Sequence, residues 1–213
     1  MSAFFVSDYH FNHGNIIKYC NRPFLSQRDK EELEVRGSWD NPEFENYKIS
    51  QEGVSMMNET LLEETNSLVR KTDTLYLLGD FGCFRNYEQA QTLRDRIRCQ
   101  NIVFIWGNHD SHYFNRVFPV HFSLLEEKIN GVHFVLCHYA MAVWNRSHRG
   151  SVHVYGHSHG NAEAWLNEMM PTRRSMDVGV DNAKTLLGAY RPFSFDEVMS
   201  LCNRQGHSID HHR

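Results

Sequence analysis

Short apolar runs punctuate a chain that is otherwise largely polar. They are Phe4-Phe5-Val6, Thr74-Leu75-Tyr76-Leu77-Leu78, Ile102-Val103-Phe104-Ile105-Trp106, Val132-His133-Phe134-Val135-Leu136 and Val152-His153-Val154-Tyr155. Brief runs rich in β-branched and aromatic residues read as buried strands, and residues 176–180 suggest a sixth. Between the runs the period changes. Val54, Met57, Leu61, Leu62 and Leu68 share one helical face and predict a helix over 54–69. Tyr87, Ala90, Leu93 and Ile97 predict a second. A short helix is expected near 111–117. Asn130-Gly131 between two apolar runs is a strong hairpin signal, so 120–137 reads as a hairpin. The capping box Ser194-Phe195-Asp196-Glu197 opens a last helix to about residue 203. Residues 26–53 are polar and without clear period, an insertion or lid in which Trp39, Phe44 and Tyr47 are expected to pin the segment rather than stack a base. Strands and helices alternate early and strands dominate later. That order predicts an α/β fold, two sheets face to face with helices outside, in one domain over 1–213.

Composition narrows the functional classes. At 213 residues the chain can bury a full-sized core. A net charge of −4 argues against broad electrostatic binding to nucleic acid, although a local basic pocket stays possible. No apolar stretch reaches the roughly 20 residues of a membrane helix, and no signal peptide is read at the N-terminus. The five cysteines are odd in number, widely spaced and without a CxxC pair. They read as reduced thiols of a cytoplasmic protein, not a disulfide framework or a zinc ribbon.

Each apolar run ends in residues that bind metals. Asp8-Tyr9-His10, Gly79-Asp80, Gly107-Asn108-His109-Asp110, His138 and Gly156-His157-Ser158-His159 follow the runs in turn. Ligands at the carboxyl ends of strands are where α/β sheets build active sites. In an extended chain residues i and i+2 point the same way, so Asp8 with His10, and His157 with His159, can each serve one site. With His109 set aside, the donors are two Asp, one Asn and four His. That is too many for one tetrahedral zinc and suits two ions with a bridging carboxylate, about 3.5–4 Å apart, an arrangement used for phosphoryl displacement. Asp, His and Asn suit manganese, iron, zinc or nickel. Two divalent ions opposite Asp8 and Asp80 leave positive charge for a phosphate anion. His109 follows Asn108 directly and should point elsewhere, which makes it a candidate general acid, with Asp110 to orient or charge its imidazole.

These ordered blocks resemble the calcineurin-like metallophosphoesterase superfamily over residues 6 to about 160. The resemblance implies a four-layer α/β/β/α sandwich of two mixed sheets with outer helices and a dinuclear site. It implies Asp8, His10, Asp80 and His159 at one ion, and Asp80, Asn108, His138 and His157 at the other, with Asp80 bridging. It implies His109 as catalytic acid and Asp110 as its partner. The expected cofactors are two divalent ions, manganese first and iron, zinc or nickel as alternatives. Ser7-Asp8-x-His10-Phe11-x-His13-x-Asn15-Ile16-Ile17 with Arg22-Pro23-Phe24 is further similar to a subgroup of small bacterial and phage-encoded predicted phosphoesterases, whose usual connection is shorter than segment 26–53.

The reading that follows is a phosphodiesterase acting on a nucleotide-like or other small phosphoester through a metal-bound hydroxide. A nuclease, a phosphomonoesterase, and a non-enzymatic module docking through 26–53 are the alternatives. Protein Ser/Thr phosphatases of the superfamily carry arginines where this chain has Trp106 and Phe81-Gly82-Cys83-Phe84. Beside the first block, His13 and Arg22 are candidate substrate contacts, Asn12 less so. Arg173-Arg174 reads as a surface pair, and His121, His133 and His153 as structural or surface histidines. Cys137 reads as core, and His207, His211 and His212 as a weakly metal-binding, disordered tail.

Overall fold

The computed structural model describes residues 1–203; the tail histidines 207, 211 and 212 lie outside them. The elements are β1 (Ala3–Val6), α1 (Gly14–Tyr19), α2 (Gln27–Arg36), α3 (Gln51–Leu68), β2 (Thr74–Leu77), α4 (Tyr87–Arg96), β3 (Asn101–Ile105), α5 (Phe114–Val117), β4 (His121–Phe122), β5 (Leu124–Ile129), β6 (Val132–Cys137), β7 (Val152–Tyr155), α6 (Glu163–Met169), β8 (Ser175–Asp177), α7 (Val180–Leu187), β9 (Phe193–Ser194) and α8 (Phe195–Leu201). One sheet runs β4-β3-β2-β1-β9, parallel except for β9. The other runs β5-β6-β7-β8, with β5 antiparallel. Two mixed sheets flanked by helices are the expected architecture.

Alternation along the strands explains the layers. Phe4, Val6, Leu75, Leu77, Ile102 and Phe104 face a helical layer that includes Ile16, Val54, Met57, Leu61, Leu93 and Phe114. Ala3, Phe5, Tyr76, Leu78 and Ile105 face the second sheet through Phe134, Leu136, Val154 and Met176. Phe5 sits at this seam, its ring stacked at 5.3 Å on Tyr76 and at 5.1 Å on Phe134. The parallel strands β1, β2, β3, β6 and β7 therefore discharge their following loops at one edge of the sandwich.

Several elements depart from the sequence reading. The hairpin turns at Asn130-Gly131, but it begins at Leu124, because His121 and Phe122 pair with β3 in the other sheet. The expected strand over 176–180 stops at Asp177, and Val180 opens α7. Segment 26–53 contains α2 and a 3-10 turn at Pro42–Phe44. Helix α2 begins with a Ser26/Asp29 capping box and buries Asp29 alone, so no apolar period marks it. Asp29 accepts hydrogen bonds from Ser26 N and Oγ, Ser50 N and Oγ, and the Tyr47 hydroxyl, at 2.6–3.0 Å. Burial opposes its ionisation, yet these donors hold its carboxyl near 2. Trp39, Phe44 and Tyr47 interlock, with Trp39 and Phe44 centroids 4.5 Å apart, in line with the pinning role expected of them. No helix among the described residues is long and apolar enough to cross a membrane.

His153 is wholly buried on β7. Its Nδ1–H donates to Val135 O at 2.9 Å, and its Nε2 accepts from Met141 N–H at 3.2 Å. Burial lowers its pKa from 6.5 to about 4. The unfolded chain takes up this proton first, so the stabilisation from a neutral His153 is complete above pH 6.5 and is lost as pH falls towards 4. The loss should amount to about 3 kcal/mol. Urea unfolding of the protein and of His153→Gln between pH 7 and 4 should show a shallower pH dependence in the variant; parallel curves would show that His153 does not titrate in this way.

Candidate active site

All seven donors come together at the shared carboxyl edge. Asp8 and His10 follow β1, Asp80 follows β2, Asn108 follows β3, His138 follows β6, and His157 and His159 follow β7. Ligand atoms of Asp8, His10 and His159 lie within 4.8 Å of one another, and so do those of Asp80, His138 and His157. Asp80 Oδ2 stands between the groups, 3.5 Å from His10 Nε2 and 3.5 Å from His138 Nε2. His10 Nε2 is buried without a hydrogen-bond partner among the described residues and is 3.9 Å from Asp8 Oδ1. These separations are too long for hydrogen bonds. They suit donors that share one ion, since ligands each about 2.1 Å from a metal stand ~3–4 Å apart. The residues present therefore fit divalent cations.

The backbone places the ligands in a way the sequence reading did not anticipate. Asp8 and His10 are not in extended chain, because β1 ends at Val6. Asp8, His10, Asp80, His157 and His159 all have left-handed φ values, between 51° and 68°. Side chains therefore converge through tight turns, each such residue costing about 1–2 kcal/mol. The glycines make room for this. A Cβ on Gly156 would collide with Ser7 Oγ and Asp8 Oδ2, and one on Gly107 with Asp80 Oδ1.

Hydrogen bonds to the far side of each ring aim the nitrogens. His138 Nδ1–H donates to Leu78 O at 2.7 Å, which turns Nε2 towards Asp80 and Asn108 Oδ1 at 3.1 Å. His159 Nδ1–H donates to Asp181 Oδ2 at 2.7 Å, which turns Nε2 towards Asp8. A carboxylate behind a ligating imidazole fixes its tautomer and raises its basicity. His157 Nδ1 lies 2.9 Å from Asn108 Oδ1. Burial pushes Asp8 up to about 7 and His10 down to about 2, so His10 is a neutral donor. Burial would also raise Asp80, but His138, His10 and the His109 N–H hold it near 2. His138 is carried up to about 9 against its burial, by Asp80 and Asp8.

Three expectations need correction. Arg22 is not at the mouth of the site: it is 0% exposed. Its guanidinium forms a bidentate pair with Asp181, both bonds 2.8 Å, and donates to Asp8 O and Tyr9 O at 2.9 Å. No donor is left for a substrate. Asp110 does not charge His109. Its oxygens accept from Asp80 N, Phe81 N and Gly107 N at 2.7–3.0 Å and sew the β2 and β3 loops together. Arg173 is no surface residue; it is buried on Tyr155, Glu163 and Asn167. His13 does stand at the site, its Nδ1 3.2 Å from His10 Nδ1, and His109 is exposed with its ring centroid 5.6 Å from that of His10. Asn12 instead binds Asn58. His121 bonds Phe118 O, His133 faces Arg146, and Cys137 is buried as expected.

Sequence reasoning missed Asp177 and Asp181. Asp177 accepts from Ser158 Oγ, Gly160 N and Gly179 N at 2.6–2.9 Å and shapes the loop that carries His157 and His159. The signal was present in Met176-Asp177-Val178-Gly179-Val180-Asp181, a further strand end with glycine and acid, but it was read as continuous strand.

Aspartate and histidine donors gathered where two facing sheets end define a metallohydrolase type of site. A model of the calcineurin-like phosphoesterase superfamily domain matches residues 1–169, and the chain belongs to that superfamily. It is accordingly a metal-dependent phosphoester hydrolase. The chain is 32% identical to the uncharacterised protein MJ1445 of Methanocaldococcus jannaschii, over 94% of this chain and 91% of the relative. Among solved structures it is similar to AQ665, a protein of unknown function from Aquifex aeolicus, with a TM-score of 0.61, 20% identity, and 94% and 98% of the two chains covered. Yfce, a phosphoesterase from E. coli, matches with a TM-score of 0.38 and 16% identity over 84% of this chain and 79% of its own.

If Asp181 aims His159, Asp181→Asn should weaken manganese binding by about 10–100-fold. Removing Arg22 (Arg22→Met) should lower the unfolding free energy by about 3 kcal/mol, because the buried Asp181 is left with the His159 imidazole alone against its charge. Calorimetric manganese titration and urea unfolding check the two; unchanged affinity in Asp181→Asn would remove Asp181 from the site.

Proposed function

We propose that the protein is a phosphodiesterase with two divalent ions, manganese first among them, acting on a nucleotide-like or other small phosphoester. The observation that carries this is Asp80 Oδ2, equidistant at 3.5 Å from one imidazole nitrogen of each donor cluster, as a bridging carboxylate would be. Asp8, His10 and His159 would hold one ion, Asn108, His138 and His157 the other, and Asp80 both. When bound, such ions supply Lewis acidity at phosphorus and a nucleophile at neutral pH.

The chain's own residues supply the rest. The inner donors Asp8, His10, Asp80 and His138 are buried, while Asn108, His109 and His157 are exposed. Substrate therefore enters over the exposed three. The His109 N–H donates to Asp80 Oδ1 at 2.9 Å, which fixes the residue beside the bridge while its ring stays at the mouth. From there it can give a proton to the leaving oxygen. Asp110 serves it by holding the loop. The diester reading is supported by charge as well. A dianionic monoester calls for cations beyond the ions, and Arg22 is sealed beneath the loop with its donors spent.

Metal-stripped protein reloaded with manganese, nickel, zinc or iron should hydrolyse bis-(p-nitrophenyl) phosphate faster than p-nitrophenyl phosphate, and Asp80→Asn should abolish turnover. Preference for the monoester would overturn the diester reading. His109→Ala should lose about 10²–10⁴-fold on a diester with an alkoxide leaving group and much less on one releasing nitrophenolate. Equal losses on both would sink the general-acid role.

A further inference from the structure

One aromatic side chain at the mouth is not accounted for by metal binding or proton transfer. Tyr139 directly follows His138 and is 47% exposed. Its ring centroid lies 4.9 Å from that of His157 at 65°, and 5.1 Å from that of His138 at 76°. Both are edge-type contacts, so the ring is braced by two imidazoles of the second donor cluster while about half of it faces solvent. The neighbouring rim residues Asn108, His109 and His157 are polar. Tyr139 is thus a large flat apolar surface beside an otherwise polar opening.

Its loop is anchored in advance. Met141 N–H donates to the buried His153, which is itself tied to Val135 O. Beyond it, buried Trp144 donates through Nε1 to Ser151 Oγ at 3.1 Å. A ring presented from a pinned loop loses little freedom when it is covered. The His109 ring is placed against the first cluster instead, 5.6 Å from the His10 ring, with the non-ligating His13 ring at 6.4 Å. With His109 beside the first cluster and Tyr139 beside the second, a phosphate seated across both with its leaving substituent at His109 would carry its retained substituent on the Tyr139 side.

We propose that Tyr139 is a specificity-determining residue that stacks on the base of a nucleoside forming the retained substituent of the phosphodiester. The assignment rests on the phosphodiesterase reading and names its substrate class. Stacking of a base on an aromatic side chain is sequence-tolerant and is worth about tenfold or more in affinity.

The test holds the leaving group constant. Manganese-loaded protein is given thymidine 5′-(p-nitrophenyl phosphate) or methyl p-nitrophenyl phosphate, both releasing nitrophenolate. The protein should prefer the thymidine ester in kcat/KM. Tyr139→Leu, which keeps apolar bulk without a π face, should reduce that preference about tenfold, mainly through KM, and Tyr139→Phe should retain it. No preference in the unaltered protein, or equal losses on both esters in Tyr139→Leu, would overturn the assignment. Calorimetric binding of thymidine 5′-monophosphate against inorganic phosphate gives a readout independent of turnover. If neither ester is hydrolysed, the phosphodiesterase reading fails. Tyr139 as a base platform fails separately if the Leu variant binds the nucleotide as tightly as the unaltered protein does.

Discussion

The site is governed by the cost of bringing carboxylates together out of water. Asp8, Asp80, Asp177 and Asp181 are buried and Asp110 partly so, all at one edge of the sandwich. Burying an ionised carboxylate is expensive unless charge or hydrogen bonds compensate it. Three of the five have partners outside the histidine cluster, although burial still raises the carboxyls of Asp110 and Asp177. Asp110 and Asp177 accept backbone N–H groups, and Asp181 has the Arg22 guanidinium. Among the described residues Asp8 and Asp80 meet imidazoles, the Ser7 hydroxyl and backbone N–H groups, with no Lys or Arg paired to either carboxylate. They are also the two that face the converging histidine nitrogens. Burial, helped by the charge of Asp177, lifts Asp8 to about 7 against His159, His138 and Ser7, so a cation at that position would do what the protein's own charges do not.

The same constraint accounts for the strained backbone. Five ligand residues occupy left-handed conformations that non-glycine residues rarely adopt. Such strain persists only where the surroundings over-determine it, and here they do. Asp8 N donates to Gly79 O, His10 N to Asp80 O, and Phe11 N to Phe81 O, so the β1 and β2 loops continue as a hydrogen-bonded pair beyond the strands. Asp110 ties in the β3 loop and Asp177 the β7 loop. Arg22 clasps the carbonyls of Asp8 and Tyr9 from below. The donors are thus fixed by contacts that do not themselves involve a metal, which makes them pre-organised for one.

Much of this was legible in the chain because strand and ligand were adjacent in sequence. An apolar run that ends in Asp, Asn or His marks both a buried strand and what hangs from its end, and the seven donors were placed that way, with Asp80, Asn108 and His157 directly after glycine. The elements that escaped lack such a local signature. Helix α2 buries only a carboxylate, α7 begins where an apolar run continues, and β9 has two residues. Roles set by distant partners escaped too. Arg22 pairs with Asp181, 159 positions away. Beside the first ligand block its charge suggested a substrate contact, and nothing in the neighbouring residues revealed a buried acid waiting for it. Asp110 stood next to His109 in sequence and was paired with it for that reason. Folded, its carboxyl faces the strand ends instead.

A division of labour follows from depth. The residues that determine whether an ion binds are interior, held by bonds that a substrate never touches. What distinguishes one phosphoester from another must act at the rim, where Asn108, His109, Tyr139 and His157 reach solvent. Segment 26–53 is folded on itself by the five hydrogen bonds on Asp29, and Lys18 ties it to α1 through Phe44 O and Tyr47 O. Discrimination on the reading proposed above falls to the few side chains around that rim.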